Sequence, residues 1–211
     1  MSLNGCSMMI LQVTLMRLLL TLILCFTTLG TYAATQTLIV AGGCFWCVES
    51  DFEKHKGVLK AESGYINGHV DNPTYRQVAG KKTGHYEAVE ITYDDTQTNL
   101  AELVEYFWKT IDPTDPHGQF CDKGSPYKTA LFYQNDEQKK VFDQSLAKLN
   151  TTKPFDAPIV TEILQAQTFY LAEDYHQDYY KTRSLRYRYY RAACGRDNRV
   201  KELWGEVVSK K

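Results

Sequence analysis

Cys44 and Cys47 stand three residues apart, with Phe45 and Trp46 between them and Gly42 and Gly43 in front. The apolar run Leu38-Ile39-Val40-Ala41 precedes the glycines, and an amphipathic stretch from Val48 to Lys54 follows. That order reads as strand, tight turn and helix. It puts Cys44 on the first helical turn, where unpaired amides and the helix dipole favour a thiolate. Two thiols at this spacing share a helix face and can form a disulfide with little backbone movement. A nucleophilic sulfur walled by two large aromatic rings suits covalent or redox chemistry on a small apolar group.

Further along, Gly84-His85-Tyr86-Glu87 places a carboxyl at the start of an alternating strand. A glutamate there is ordinarily solvated. If it faces an aromatic pocket instead, burial raises its pKa and makes it a proton donor near neutrality. Asn72-Pro73-Thr74-Tyr75 has the form of a helix start, and Cys121-Asp122-Lys123-Gly124-Ser125-Pro126-Tyr127 that of a polar loop. Each piece alone has an ordinary structural explanation. Together they fit a nucleophilic thiolate, a protonated acid and two phenol donors around one small apolar site.

The elements needed to bring these groups together are legible from periodicity. Strands are expected over Thr37–Ala41, Val58–Tyr65, Tyr86–Tyr93 and Lys128–Tyr133. Helices are expected from Phe45 to about His55, over a short turn at Tyr75–Val78, and over Asn99–Lys109 and Glu137–Leu149. The order βαββαβ predicts an α+β fold, a two-layer sandwich with a ferredoxin-like core and a C-terminal extension. In that extension an extended run, Pro158–Leu164, precedes a helix near Ala172–Tyr180. The aromatic and basic tail Leu185–Arg191 is expected to pack its rings on the body and leave its guanidinium groups wet.

The 24 basic and 25 acidic residues nearly cancel, so nothing asks for a nucleic-acid partner. Residues 1–33 read as a secretory signal, with Arg17, the apolar core Leu18–Phe26 and cleavage after Ala33. Met16 is an alternative to Met1 as the start. Residues 34–211 then form a single catalytic domain, exported to the periplasm or secreted, monomeric, and without stable membrane insertion once the signal is removed. The mature chain keeps Cys44, Cys47, Cys121 and Cys194. Two structural bridges are one use for four cysteines in an oxidising compartment. A zinc module is another, although no second close-spaced ligand pair is present. A general thiol–disulfide oxidoreductase is a third, although in the thioredoxin pattern the tryptophan precedes the first cysteine.

Six ordered motifs decide between these readings: Gly43-Cys44-Phe45-Trp46, Gly64-Tyr65, Asn72-Pro73-Thr74-Tyr75, Thr83-Gly84-His85-Tyr86-Glu87, Asp122-Lys123-Gly124-Ser125-Pro126-Tyr127 and Ala172-Glu173-Asp174-Tyr175-His176-Gln177-Asp178-Tyr179. From about Leu38 to Trp204 the chain resembles the peptide methionine sulfoxide reductase A family, in its branch with a C-F-W-C segment. The resemblance implies reduction of the S epimer of methionine sulfoxide, free or in oxidised proteins. It assigns Cys44 as nucleophile, Glu87 as acid, Tyr75 and Tyr127 as donors to the sulfoxide oxygen, Phe45 and Trp46 as the methyl-binding wall, and Asp122 as a polar substrate contact. It implies no metal and no organic cofactor, with thioredoxin or a thioredoxin-like protein as reductant. The resolving cysteine is expected to be Cys194, then Cys47, then Cys121. Tyr86 and Pro126 depart from the family pattern, as does the missing C-terminal glycine-tyrosine-cysteine segment.

Overall fold

Leu38 and Val40 belong to one buried cluster and Ile39 and Ala41 to another, so the first strand is covered on both faces. The computed structural model describes residues 35–205. In it β1 (Thr35–Gly42) pairs antiparallel with β3 (Tyr86–Asp94) on one side and with β6 (Thr129–Tyr133) on the other. Between them in the chain come α1 (Phe45–Phe52), β2 (Val58–Ile66), α2 (Tyr75–Ala79), α3 (Leu100–Trp108) and the two-residue strands β4 (Gly118–Gln119) and β5 (Asp122–Lys123). After β6 follow α4 (Asp136–Thr152), β7 (Glu162–Gln165), β8 (Tyr170–Leu171), α5 (Tyr179–Thr182), α6 (Ser184–Ala193) and α7 (Arg196–Trp204).

The main sheet runs β7-β6-β1-β3-β2-β8. Its middle four strands are those of the expected βαββαβ core, with β1 between β3 and β6 as a split βαβ requires. The larger core lies under α1, α3 and α4, where Phe52, Leu103, Phe107 and Phe142 close over Val40, Val89, Ile91 and Leu131. Asn99 and Asn135 start α3 and α4 by accepting the amides of Glu102 and Gln138, which satisfies donors the helices leave open.

The extension departs from its periodicity. The helix expected over Ala172–Tyr180 is absent: β8 pairs with β2, Asp174–His176 makes one 3-10 turn, and α5 starts only at Tyr179. Asp178 is the cause at the last step, because its φ of 51° breaks the helical path. The run Pro158–Leu164 is strand only from Glu162 onward, and the helix that opens at Phe45 ends at Phe52 rather than near His55. The basic tail is helical within α6, and Arg191 is not wet: it donates to Asp51, to Asp197 and to the Tyr187 hydroxyl. The signal over residues 1–33 and the choice of start site lie outside the described residues. Among the described residues no helix is long and apolar enough to cross a membrane.

Candidate active site

Gly43 makes the turn from β1 into α1 with φ of 83°, and a Cβ there would lie 2.5 Å from the Cβ of Gln119. Only glycine combines that backbone with that approach. Gln119 is fully buried; its amide donates to the carbonyls of Asp112 and Gly118 and accepts from the Asp112 amide, which pins the 112–119 loop against the turn. Arg196, 1% exposed, braces the same turn from α7 by donating to the carbonyls of Gly42 and Thr110, with its guanidinium over the Phe120 ring. Cys44 is thereby fixed as the N-cap residue of α1, one position before the first turn, and is 6% exposed.

Strand alternation delivers the acid. Val89 and Ile91 face the larger core, so Glu87, two residues earlier in β3, points to the same face under the start of α1. The Phe45 amide donates to its Oε2 at 3.2 Å and it is 2% exposed. Burial pushes its pKa up to about 8, with the nearby Asp122 adding to the rise. Glu87 is therefore a protonated acid at neutral pH. Burial also raises Tyr75 to about 12 and carries Tyr127 higher still, so both phenols remain donors. Glu173 holds Tyr75 in place by accepting its amide at 2.9 Å and the Tyr65 hydroxyl at 2.8 Å.

The two sulfurs differ from expectation in the way they share charge. Burial lifts Cys44 well above the ordinary thiol range, and a hydrogen bond with Cys47 and the charges of Cys47, Glu87 and Asp122 add to this. Cys47 moves down, first through that same bond from Cys44 and then, against the cost of burial, through Arg196 and Arg191. The pair thus moves in opposite directions, with Cys44 held toward the thiol and Cys47 shifted toward the thiolate. The eight-residue helix offers only about half a charge at its N-terminus, which desolvation outweighs here.

One cavity of about 220 Å³ collects Cys44, Phe45, Trp46, Tyr75, Glu87, Asp122 and Tyr127, all seven residues expected at the reaction centre, and adds Arg186 and Tyr190. The Trp46 ring stacks on Tyr179 at 3.8 Å between centroids, and its indole N–H donates to Nδ1 of His176 at 3.0 Å. Burial lowers the His176 pKa, so the ring is neutral and carries its proton on Nε2. The Tyr190 hydroxyl donates to Asp122, whose own pKa burial raises. Cys194, expected first among resolving thiols, is joined to Cys121 in a disulfide, and the free thiol hydrogen-bonded to Cys44 is Cys47. His176, Tyr179 and Glu173 sit in a motif the sequence singles out without giving them roles. Nothing in the sequence marks Tyr190 or Arg186 apart from their neighbours in an aromatic-basic run.

Similarity to known proteins spans most of the chain. A family model described as peptide methionine sulfoxide reductase matches residues 36–208. The peptide methionine sulfoxide reductase MsrA of Bacillus licheniformis is 49% identical over 165 residues, 78% of this chain and 91% of that protein. MsrA 2 of Caulobacter vibrioides is 48% identical over 174 residues, 81% of this chain and 86% of its own. Among solved structures, methionine sulfoxide reductase A of Corynebacterium diphtheriae superposes with a TM-score of 0.63 at 32% identity, covering 75% of this chain and 81% of that one. Reduced Mxr1 of Saccharomyces cerevisiae gives 0.67 at 28% identity, covering 71% and 86%.

Proposed function

The chain belongs to the peptide methionine sulfoxide reductase family, and from that premise we propose how its own residues carry out thiol-dependent reduction of methionine S-sulfoxide. The single observation that supports the assignment best is the convergence of Cys44, a protonated Glu87 and two phenols in one small cavity. The methyl group of the sulfoxide rests on Phe45 and Trp46 and its oxygen faces Glu87, Tyr75 and Tyr127. The rest of the substrate leaves through the mouth. Fixing those three directions accepts one hand at sulfur.

Cys44 sulfur attacks the sulfoxide sulfur while its proton passes to Cys47. Glu87 protonates the oxygen, which is a poor leaving group until then, and the phenols stabilise the charge that builds on it. The S–O bond then breaks and leaves Cys44 joined to the methionine sulfur as a sulfonium. The released hydroxide adds to the Cys44 sulfur, the S–S bond breaks with its electron pair going to methionine, and Cys44 is left as a sulfenic acid. Cys47 then attacks the Cys44 sulfur, the hydroxyl leaves as water, and a Cys44–Cys47 disulfide remains. An external dithiol of the thioredoxin kind takes up that disulfide and restores both thiols. The sum is one sulfoxide and two thiols converted to one thioether, one disulfide and one water.

Cys47 is favoured over Cys194 because its free thiol is hydrogen-bonded to Cys44, while Cys194 is joined to Cys121. Cys47→Ser is therefore expected to give one turnover and stop, leaving Cys44 as a sulfenic acid that dimedone traps. Peptide mapping of the wild-type protein after one turnover is expected to find Cys44 linked to Cys47. Linkage to Cys194, or steady turnover by the variant with a dithiol reductant, would refute this assignment.

We further propose that the enzyme acts outside the cytoplasm as a monomer, because Arg17–Phe26 and Thr31–Ala34 have the composition of an export signal and one chain supplies every site residue. The exported product is expected to begin at Ala34 by intact mass and to scatter light as a monomer. Retention of the first 33 residues, or a dimer, refutes the corresponding part.

A further inference from the structure

Arg186 is a cationic residue of the cavity wall to which the reaction gives no role. It lies on α6, exposed, one helical turn before Tyr190, and lines the same cavity as Asp122 and Cys44. Three arginines that follow it are spent on structure, Arg191 on Asp51 and Asp197, Arg196 on two backbone carbonyls and Arg199 on Asp112 and Glu202, whereas Arg183 and Arg188 are exposed outside the cavity wall. Among the described residues Arg186 has no ion-pair or side-chain hydrogen-bond partner. It is not a loose side chain on a loose segment. The Tyr190 hydroxyl ties the same helix to Asp122, and the Cys121–Cys194 disulfide ties its end to the residue beside Asp122.

The charged groups of this rim include Asp122, which is taken up by the Tyr190 hydroxyl, and the cations Arg186 and Lys81. Glu87 is neutral at working pH, and Asp122 is half-buried and engaged by Tyr190. Lys81, exposed, packs its stem near Gly124 on the Asp122 loop, and its charge is felt by Asp122. The exposed Leu185 and Tyr189, 75% and 79% accessible, continue the α6 surface away from the cavity. With the oxidised methionine side chain seated in this cavity, the neighbouring residues of a peptide lie at its rim. Side chains one or two positions along an extended chain lie within about 7 Å, which brings them to the guanidinium.

We propose that Arg186 is a specificity-determining residue that selects peptides carrying an aspartate or glutamate next to the oxidised methionine. Its planar fork pairs with a carboxylate in two parallel hydrogen bonds, a geometry Lys81 cannot reproduce. The pairing is at the solvent edge, so it acts on binding rather than on the bond-breaking step.

This inference rests on the reductase reading and is tested apart from it. Three blocked peptides with methionine S-sulfoxide at the centre, flanked by glutamate, glutamine or lysine, are compared by kcat/KM. The wild-type protein is expected to prefer the glutamate peptide to the lysine peptide by about fivefold, through KM, and to lose that preference as salt shortens the reach of charge. Arg186→Gln is expected to bring the ratio to near one, and Arg186→Glu to invert it. Arg188→Gln, which removes an equal charge from another side of the same helix, leaves the ratio where it was. Equal rates on all three peptides by the wild type overturn the inference alone. So does a loss in Arg186→Gln that is the same on every peptide, or a shift of equal size in Arg188→Gln. Failure of the wild type to reduce any of the three overturns the reductase reading with it.

Discussion

Cys44→Ser is expected to lower methionine sulfoxide reduction by at least about a thousandfold, the loss usual when an attacking group is deleted. The reason lies in the product as much as in the attack. A sulfur can accept the substrate's oxygen as a sulfenic acid, whereas a serine oxygen would have to become a hydroperoxide. Serine is also far less acidic than a thiol, and Cys47 is too weak a base to ionise it. The fold gives no competing explanation for a loss. Cys44 is the N-cap of α1 without a side-chain cap bond, and serine is among the best N-cap residues, so α1 should be at least as stable. Circular dichroism and melting temperature are expected to match the wild type while sulfoxide-dependent thiol consumption falls from two thiols per turnover to none. Activity above one part in a hundred would show that Cys47, 2% exposed and one turn into the helix, can attack instead.

The part of this site that is legible in the sequence is the part set by local pattern. The run Leu38–Ala41 followed by two glycines is a strand and a turn, and Cys44 can stand only at its exit. Alternation along Tyr86–Tyr93 puts Glu87 on the face of Val89 and Ile91, although only the fold shows that this face is the buried one. Tyr75 and Tyr127 are placed by their turns, and the cavity then collects all of them. What is hidden is whatever depends on distant partners. Cys121 and Cys194 are 73 residues apart, and no spacing rule joins them. Arg196 sits in the interior because two backbone carbonyls and the Phe120 ring receive it, against the ordinary expectation that arginine stays at the surface. Periodicity reads Ala172–Tyr180 as a helix. Tertiary bonds spend that segment otherwise, with the Ala172 amide on Ser63 and the Gln177 amide on the carbonyls of Ser63 and Ala172. The resting charge of Cys44 fails for a related reason: a helix start is visible in a sequence, but the depth of burial that opposes ionisation is not.

Glu87→Gln is expected to reduce the single-turnover rate of sulfenic acid formation by about a hundredfold to ten-thousandfold, the range for loss of a general acid. Glutamine keeps the shape of the side chain and can still accept the Phe45 amide, but it has no proton to give. The pH profile separates this from mere disturbance of the pocket. With a pKa of about 8, Glu87 is a competent acid below that value, and its contribution declines tenfold per pH unit above it. The wild-type rate should therefore carry a descending limb near pH 8 that the variant lacks. Stability moves in the opposite sense. Burial raises the folded-state pKa above the ordinary 4.5, so between pH 4.5 and about 8 the folded protein keeps a proton that the unfolded chain has released. The folded state binds more protons across that window and loses stability as pH rises through it. Glutamine has no such proton, so the variant should gain in melting temperature relative to the wild type from pH 5 to pH 8. A slower enzyme that is also the more stable one at pH 8 is the signature of a carboxyl kept protonated for catalysis at a cost to the fold. An unchanged single-turnover rate, or a descending limb that survives the substitution, would remove Glu87 from the reaction and leave the phenols as the only donors to the departing oxygen.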